Sequence, residues 1–222
     1  MNTTSNLIYN IAILGCGKVA HLHAKAITNL PNARLAGVWS RSAESAKTFA
    51  KKYDVKAYTK IDELIRKEKV KLAIVCTPHP FHVNPTVEAA NAGAHVLVEK
   101  PLASTLEDCD KMIAACSHAG VKLGVVSQRK WYEPVRRVKD AIVAGKIGKP
   151  VMGTINILGW RDEAYYNADE WRGTWAMEGG GVLVNQAPHQ LDILLWYMGE
   201  IDEVYGLWRN FNHPYIEVED TV

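Results

Sequence analysis

The sequence predicts an α/β chain in which a doubly wound parallel sheet is followed by an incomplete α+β domain with an open, mostly antiparallel sheet. Three observations lead to this expectation. Short apolar runs alternate with stretches of helical period up to residue 127, a glycine-rich turn follows the first run, and the pattern changes after residue 128. We therefore expect a first domain over residues 1–127 and a second over residues 128–222.

The composition is that of an ordinary globular protein, and it narrows the function classes. The chain has 222 residues, 48% of them hydrophobic, and its net charge of +2 argues against a nucleic-acid binder with a strongly basic face. No apolar run reaches membrane-spanning length and no basic segment precedes the first one, so we expect a cytoplasmic protein without a membrane anchor. The four cysteines lack CxxC pairs and zinc-ligand spacing, which predicts reduced packing residues and no metal site.

The alternation along the first domain predicts its elements in order. Apolar runs typical of strands buried on both faces occupy residues 11–15, 33–40, 72–77, 95–100 and 122–128. Stretches of helical period lie between them at residues 19–29, 42–53, 61–67, 83–92 and 105–118. This order indicates a parallel sheet with helices on both faces.

The second domain has a different pattern. We predict helices over residues 134–144 and 186–198, and strands over residues 151–160, 203–210 and 216–222. Three strands make a thin sheet with unpaired edges. We therefore expect either that another copy of the chain covers this sheet, giving a homo-oligomer, or that the sequence is shorter than its natural length.

The stretch GCGKVA, Gly15 to Ala20, follows the first predicted strand and opens the first helix. In this G-x-G-x-x-A pattern, Gly15 permits a tight turn, Gly17 lets a pyrophosphate approach the backbone, and Ala20 lets helix and strand pack closely. Lys18 and Val19 begin the helix whose N-terminal N–H groups would face the anion. The pattern predicts a dinucleotide site of the Rossmann type, and the alternative is a plain tight turn.

The end of the second strand bears on the choice of cofactor. Enzymes that use NAD commonly have an acidic residue there, whereas this sequence has Ser40, Arg41 and Ser42. A guanidinium with neighbouring hydroxyls suits a 2′-phosphate, which favours NADP over NAD. The alternative is a solvated turn in which Ser42 caps the next helix.

Two further loops follow strands at the same sheet edge. The third strand leads into CTPHPFH, where Thr77, Pro78 and His82 are candidates for the cofactor channel, with a structural cap as the alternative for His82. The fourth leads into HVLVEKPLA and ends on Glu99 and Lys100. A lysine there is either half of a surface ion pair or a group of tuned proton affinity that donates to a substrate oxygen.

A second candidate site lies in residues 178–199. Asn185 is a candidate helix N-cap, and the spacing of Asn185, His189 and Asp192 places them on one helix face near its N-terminus. A histidine beside a carboxylate suits general acid–base catalysis, and a buried capping histidine is the alternative.

Together these segments make the sequence resemble the Gfo/Idh/MocA oxidoreductase family. The similar stretches are GCGKVAHLHA, CTPHPFH, AGAHVLVEKPLA, WRGTWAMEGGGVLVNQAPHQLD and VEDTV, which run from about Tyr9 to Val222. The resemblance implies a Rossmann domain followed by an α+β domain whose large open sheet packs against another subunit. It also implies a nicotinamide cofactor, NADP or NAD, and a sugar, polyol or sugar-derivative substrate.

The resemblance further implies roles for single residues. Lys100 matches the lysine that touches the reacting hydroxyl and the nicotinamide region, and Glu99 would then lie near the nicotinamide ribose. His189 matches the catalytic histidine, and Asp192 matches the substrate-binding aspartate. The remaining candidates are substrate contacts at Asn185, Trp171 and Arg172 and a cofactor contact at Gln128.

Two departures from the family pattern matter. Asn185 stands where many sugar and inositol dehydrogenases carry Asp, although some nucleotide-sugar 3-dehydrogenases are similar in having Asn-Gln there. Because an amide cannot stabilise an imidazolium as a carboxylate does, the proton relay would rest on Lys100 and His189. The chain also ends at the VEDTV strand, beyond which family members normally continue, so we expect it to be truncated.

The function expected from the sequence is reversible hydride transfer between a substrate hydroxyl carbon and the nicotinamide. His189 would take the hydroxyl proton with help from Lys100, while Asp192 and Asn185 would orient substrate or imidazole. Two alternatives stay open: a catalytically silent NADP-binding protein with a regulatory or assembly role, and a reductase of a non-sugar carbonyl or a dihydrodiol.

Overall fold

The computed structural model describes residues 7–222, which form two compact units, one ending at Val126 and the other beginning at Ser127. The first unit contains a six-stranded sheet flanked by helices, and the second contains helices joined by irregular segments. Within the described part of the chain, no helix combines the length and the apolarity needed to cross a membrane.

The sheet of the first unit is parallel throughout. Its strands are β1 (Tyr9–Leu14), β2 (Ala33–Trp39), β3 (Lys56–Tyr58), β4 (Leu72–Val75), β5 (His95–Val98) and β6 (Leu123–Val125). They pair in the order β3-β2-β1-β4-β5-β6. This is the doubly wound Rossmann order, and it confirms the predicted fold class of the first unit. The sequence did not indicate β3, because its three residues are largely exposed and show no apolar run.

Helices cover both faces of this sheet. They are α1 (Lys18–Thr28), α2 (Ala43–Tyr53), α3 (Ile61–Lys67), α4 (Val83–Asn91) and α5 (Leu106–His118). The period of two along β1 sends Ile11 and Ile13 to the layer under α1 and α2, and sends Ala12 and Leu14 to the layer under α3, α4 and α5. Both layers are buried, which explains why the central strands are apolar without interruption.

The second unit is built around two helices that contact each other. Its helices are α6 (Glu133–Val143), α7 (Glu163–Asn167), α8 (Trp175–Glu178) and α9 (Pro188–Met198), and a π-helical turn, Val182–Gln186, precedes α9. The Tyr197 hydroxyl of α9 donates to the Val135 carbonyl of α6 at 2.8 Å. Lys139 of α6 donates to the Trp196 carbonyl at 2.6 Å, so polar contacts reinforce this packing.

The three strands predicted for the second unit do not form in the structure. Residues 151–160, 203–210 and 216–222 adopt irregular backbone, and an isolated antiparallel bridge between Arg209 and Thr221 is the β pairing described there. A strand is stable only when a neighbour accepts and donates its backbone hydrogen bonds. Apolar side chains are present in these segments, but some, such as Leu158, are 98% exposed, and the described residues supply no such neighbour. The mostly antiparallel sheet is therefore absent from the described chain.

Candidate functional site

The glycine turn, residues 15–17, joins β1 to α1. Gly15 has a φ of 106°, and its N–H donates to the Trp39 carbonyl at 2.7 Å. A Cβ at Gly15 would lie 2.6 Å from the backbone nitrogen of Thr77, whereas a Cβ at Gly17 would meet no atom within 4 Å. The fold thus requires glycine at position 15, while the bare backbone at Gly17 borders open space.

The N-terminus of α1 is suited to an anion. Gly17 is its N-cap, no side chain caps the helix, and its first turn contains no acidic residue. Ala20 is fully buried, which lets the helix approach the sheet closely. The Ala20 N–H donates to the Gly17 carbonyl at 3.1 Å, and the N–H groups of Lys18 and Val19 lie at the end of this 11-residue helix that favours phosphate oxygens. With the open backbone at Gly17 beside them, these residues fit the pyrophosphate of a dinucleotide.

The turn after β2 presents an arginine and no carboxylate. The guanidinium carbon of Arg41 lies 3.8 Å from the centre of the Phe81 ring, and the side chain is exposed. The Ser42 hydroxyl accepts the Ser45 N–H at 3.2 Å and caps α2, as the structural alternative predicted. Helix capping by Ser42 leaves Arg41 available, so the two interpretations of this turn are compatible.

The loop after β4 is held by buried polar side chains. Thr77 donates from its hydroxyl to the Phe81 carbonyl at 3.0 Å, across the short 3-10 turn that follows Pro78. His82 is 1% exposed, and its Nε2 lies 2.8 Å from the Thr77 carbonyl oxygen. Its Nδ1 lies 3.0 Å from the Pro101 carbonyl oxygen and 3.1 Å from that of Leu102. Because all three neighbours are carbonyl acceptors, any N–H that this buried ring carries is taken by backbone. These contacts favour the structural alternative for His82 over the cofactor channel.

The lysine turn, residues 99–102, follows β5 at the carboxyl edge of the sheet. The Glu99 N–H donates to the Val75 carbonyl of β4 at 3.0 Å, and the peptide bond between Lys100 and Pro101 is cis. Glu99 Oε1 lies 2.8 Å from Nε2 of His23, a residue of α1. Since the glycine turn opens α1, this contact joins the two turns within one unit.

The ionisation of Glu99 follows from these contacts. Burial favours the neutral acid, but the hydrogen bond and charge of His23 and the N–H and charge of Lys100 more than offset it and hold the pKa of Glu99 below its usual range. The Lys100 backbone N–H donates to Glu99 Oε2 at 3.2 Å. Glu99 is therefore a carboxylate at neutral pH with both oxygens engaged.

In the second unit, the structure places His189 and Asp192 on the first turns of α9, as their spacing predicts. Lys130 Nζ lies 2.5 Å from Asp192 Oδ1, and the Ser127 hydroxyl donates to Asp192 Oδ2. Lys130 was not among the predicted site residues, and in the sequence it stands out only by following the candidate Gln128 by two positions. The structure places both residues in the 3-10 turn Gln128–Trp131.

The prediction that Asn185 caps this helix and shares its face is wrong. Helix α9 begins at Pro188 with Ala187 as its N-cap, and Asn185 belongs to the preceding π-helical turn. The Asn185 amide donates to Glu178 Oε1 at 2.6 Å. The Asn185 side chain is used in this contact and does not cap α9. Glu178 is 1% exposed, and burial raises its pKa although the N–H of Gly173 and the Asn185 amide oppose the shift.

Tyr165 contacts Arg172, which with Trp171 was predicted to bind substrate. Its hydroxyl accepts from Arg172 at 2.6 Å and from Gln186 at 2.9 Å. The Arg172 guanidinium carbon lies 4.3 Å from the ring centres of both Trp171 and Tyr165, and its Nε donates to Asp169 at 3.0 Å. Tyr165 was not among the predicted site residues, because a tyrosine in an aromatic loop carries no distinguishing signal.

The acidic residues Glu219 and Asp220 lie near the glycine cluster, residues 179–181, which precedes α9. Glu219 accepts the N–H groups of Gly181 at 2.8 Å and Leu183 at 3.1 Å. Next to it, Asp220 Oδ2 lies 2.7 Å from Nδ1 of His213. Burial opposes ionisation of Asp220, but hydrogen bonds from His213 and from backbone N–H groups outweigh it, and its pKa lies well below the ordinary value.

Comparison with known proteins assigns these two units. Residues 9–127 match the family described as "Oxidoreductase family, NAD-binding Rossmann fold", and residues 135–222 match "GFO/IDH/MocA C-terminal domain". The chain belongs to the GFO/IDH/MocA oxidoreductase family. The resemblance carried by the glycine turn, the lysine turn and the glycine cluster is thereby confirmed.

Several GFO/IDH/MocA relatives are similar to most of the chain. The WlbA dehydrogenase of Bordetella pertussis, solved with NADH and UDP-GlcNAcA, is 31% identical with a TM-score of 0.89, over 96% of this chain and 62% of that protein. The 1-carboxy-3-chloro-3,4-dihydroxycyclo hexa-1,5-diene dehydrogenase of Comamonas testosteroni is 38% identical over 67% of this chain and 38% of the relative. The 1,5-anhydro-D-fructose reductase of Ensifer adhaerens is 30% identical over 85% and 56%. The chain thus spans between 38% and 62% of these relatives.

Proposed function

We propose that this GFO/IDH/MocA protein transfers a hydride between a nicotinamide cofactor and the hydroxyl-bearing carbon of a sugar, polyol or sugar derivative. The observation that carries the proposal is the contact between His23 and Glu99 at 2.8 Å, which joins the lysine turn to the helix opened by the glycine turn. A dinucleotide site and a lysine at one sheet edge are what such a reaction requires.

In this proposal the glycine turn and the N-terminus of α1 hold the pyrophosphate, with Gly15, Gly17, Lys18, Val19 and Ala20 forming the cradle. The other proposed cofactor contacts are Ser40, Arg41, Thr77, Pro78, Glu99, Lys100 and Gln128. When bound, the nicotinamide supplies the hydride chemistry. The residues that bind the cofactor position the nicotinamide and exclude water from the reacting carbon.

The catalytic roles are assigned to two residues. Lys100 donates a hydrogen bond from Nζ to the substrate oxygen and stabilises the negative charge that develops there. His189 takes the hydroxyl proton on a ring nitrogen as the carbon–oxygen bond becomes a carbonyl, and it returns the proton in the reverse direction. Asp192 is proposed to bind substrate and to set the position of His189 one helical turn away.

The second unit is proposed to bind substrate and to contribute to a homo-oligomer. Trp171 and Arg172 offer stacked aromatic and cationic surface, and Asn185 contributes through Glu178 and Tyr165, which its amide contacts. The exposed apolar side chains of residues 151–160 and 203–211 support contact with another copy of the chain.

Hydride transfer is tested by following absorbance at 340 nm with the 222-residue chain and NAD⁺ or NADP⁺. We expect turnover with UDP-GlcNAcA, the molecule in the WlbA complex, because that dehydrogenase is 31% identical to this chain with a TM-score of 0.89. A cyclohexadiene diol is the second substrate to test, since the Comamonas testosteroni relative is named for acting on one. Saturable cofactor binding with no turnover on either substrate or on myo-inositol would contradict the proposal and favour a silent cofactor-binding protein.

For the cofactor we propose a preference for NADP, supported by Arg41 and by the absence of a carboxylate from residues 40–42. Replacing Arg41 with Ala is expected to weaken NADPH binding about tenfold and to change NADH binding less than about twofold, because the guanidinium pairs with the 2′-phosphate only. Fluorescence titration measures both affinities.

The matched control is Arg66→Ala, which removes an exposed arginine paired with Asp62 on α3. It is expected to leave both affinities unchanged. A wild-type chain that binds NADH more tightly than NADPH would overturn the preference.

A further inference from the structure

We propose that His23 and His82 are positioning residues that hold the lysine turn from its two ends and thereby orient Lys100 for the reaction. This inference rests on the function proposed above. His23 was not among the residues predicted for the site. His82 was predicted only as a contact of the cofactor channel or as a structural cap.

The first end of the lysine turn is held through Glu99. His23 Nε2 lies 2.8 Å from Glu99 Oε1, and the side chains of His23 and Glu99 are 18% and 17% exposed. The other carboxylate oxygen accepts the Lys100 backbone N–H. Glu99 therefore links a residue of α1 to the backbone of Lys100 itself, and loss of His23 would free the carboxylate to rotate.

The second end is held through the carbonyl groups of Pro101 and Leu102. Nδ1 of His82 lies 3.0 Å and 3.1 Å from their oxygens, while Nε2 lies 2.8 Å from the Thr77 oxygen on the neighbouring loop. Burial lowers the pKa of His82, and the three carbonyls offset this only in part. Because all three neighbours are carbonyl acceptors, the neutral ring donates its one N–H to one of the two loops and packs against the other. Both loops follow strands at the carboxyl edge of the sheet.

The two contacts act on opposite sides of one residue. Glu99 precedes Lys100 and is attached to α1, whereas Pro101 and Leu102 follow it and are attached to the loop after β4. A side chain that must donate to a reacting oxygen needs its backbone fixed to within about half an ångström. A misplacement of about 1 Å lowers turnover by about 100-fold.

The inference is tested first by backbone hydrogen exchange at the Lys100 amide, followed by NMR in the 222-residue chain. His23→Leu is expected to speed this exchange about tenfold, because the carboxylate that accepts the N–H loses its anchor. His23→Gln restores an N–H donor and is expected to restore slow exchange. Unchanged exchange in His23→Leu would overturn the inference, and this outcome does not depend on any catalytic activity.

The matched control is His21→Leu on the same helix. His21 stacks on Phe49 at 4.7 Å and contacts the Tyr53 hydroxyl at 2.9 Å, so its side chain packs against α2. It is expected to lower thermal stability without changing exchange at Lys100. Equal effects of His21→Leu and His23→Leu on the Lys100 amide would mean that α1 packing alone is responsible, which also overturns the inference.

Turnover gives the second readout. In an active chain, His23→Leu is expected to lower kcat about tenfold while KM for substrate and the NADPH affinity stay within about threefold, with rescue by His23→Gln. The variant His82→Asn is expected to lower kcat in the same way. Because His82 is buried, circular dichroism is used to check that this variant folds. Unchanged kcat in His23→Leu would refute the positioning role, whereas an inactive wild-type chain with the exchange effect intact would refute only the proposed function.

Discussion

Replacement of Lys100 by Met is expected to lower kcat by about 1000-fold, with the affinity for NADPH changed by less than about threefold. Methionine keeps the length of the side chain but removes its charge and its N–H donors, so the substrate oxygen loses its stabilising partner as charge develops on it. The measurement is steady-state turnover at 340 nm beside fluorescence titration of the cofactor.

The control for this substitution is Lys111→Met on α5. Lys111 is an exposed lysine of the same unit that pairs with Glu107 at 3.0 Å. It is expected to leave turnover and cofactor affinity unchanged. If Lys100→Met retained full turnover, the assignment of Lys100 as a catalytic residue would be wrong.

The paired substitutions Gly15→Ala and Gly17→Ala should separate folding from cofactor binding. Gly15→Ala is expected to lower the free energy of unfolding by about 3 kcal/mol, since it places a Cβ at positive φ against backbone that cannot move aside. Gly17→Ala has open space around its Cβ and an ordinary φ of −78°, so stability is expected to change by less than about 0.5 kcal/mol.

For Gly17→Ala, the cofactor affinity should change although the stability does not. Its added methyl group occupies the surface along which the pyrophosphate approaches, and NADPH binding is expected to weaken at least about tenfold. Chemical denaturation and fluorescence titration measure the two quantities on the same variants. Full NADPH affinity in Gly17→Ala would contradict the placement of the pyrophosphate at this turn.

The sequence was sufficient for the first unit because its signals are local. The apolar runs, the period of the helices and the glycine spacing each act over a few residues, and they predicted all strands of the sheet except β3. That strand forms because β2 provides a partner at Gly37 to Trp39, which is a tertiary cause without a local pattern.

The second unit shows the limit of local patterns. Residues 151–160 and 203–210 are rich in apolar and aromatic residues, but a ladder needs a neighbouring strand, and the described residues supply none. Asn185 has the sequence position of an N-cap, yet the buried carboxylate of Glu178 takes its amide. In both cases the presence or absence of a contact among the described residues, and not the local pattern, decided the outcome.

By itself, the sequence determined the alternation of strands and helices in the first unit, the glycine turn and the presence of a lysine at the end of β5. Only the tertiary structure decided that His23 contacts Glu99 and that His82 lies between Thr77 on one side and Pro101 and Leu102 on the other. The physical reason is that hydrophobic period and turn chemistry depend on residues that are neighbours in the sequence. A hydrogen bond between residues 76 positions apart depends on where folding brings two elements together.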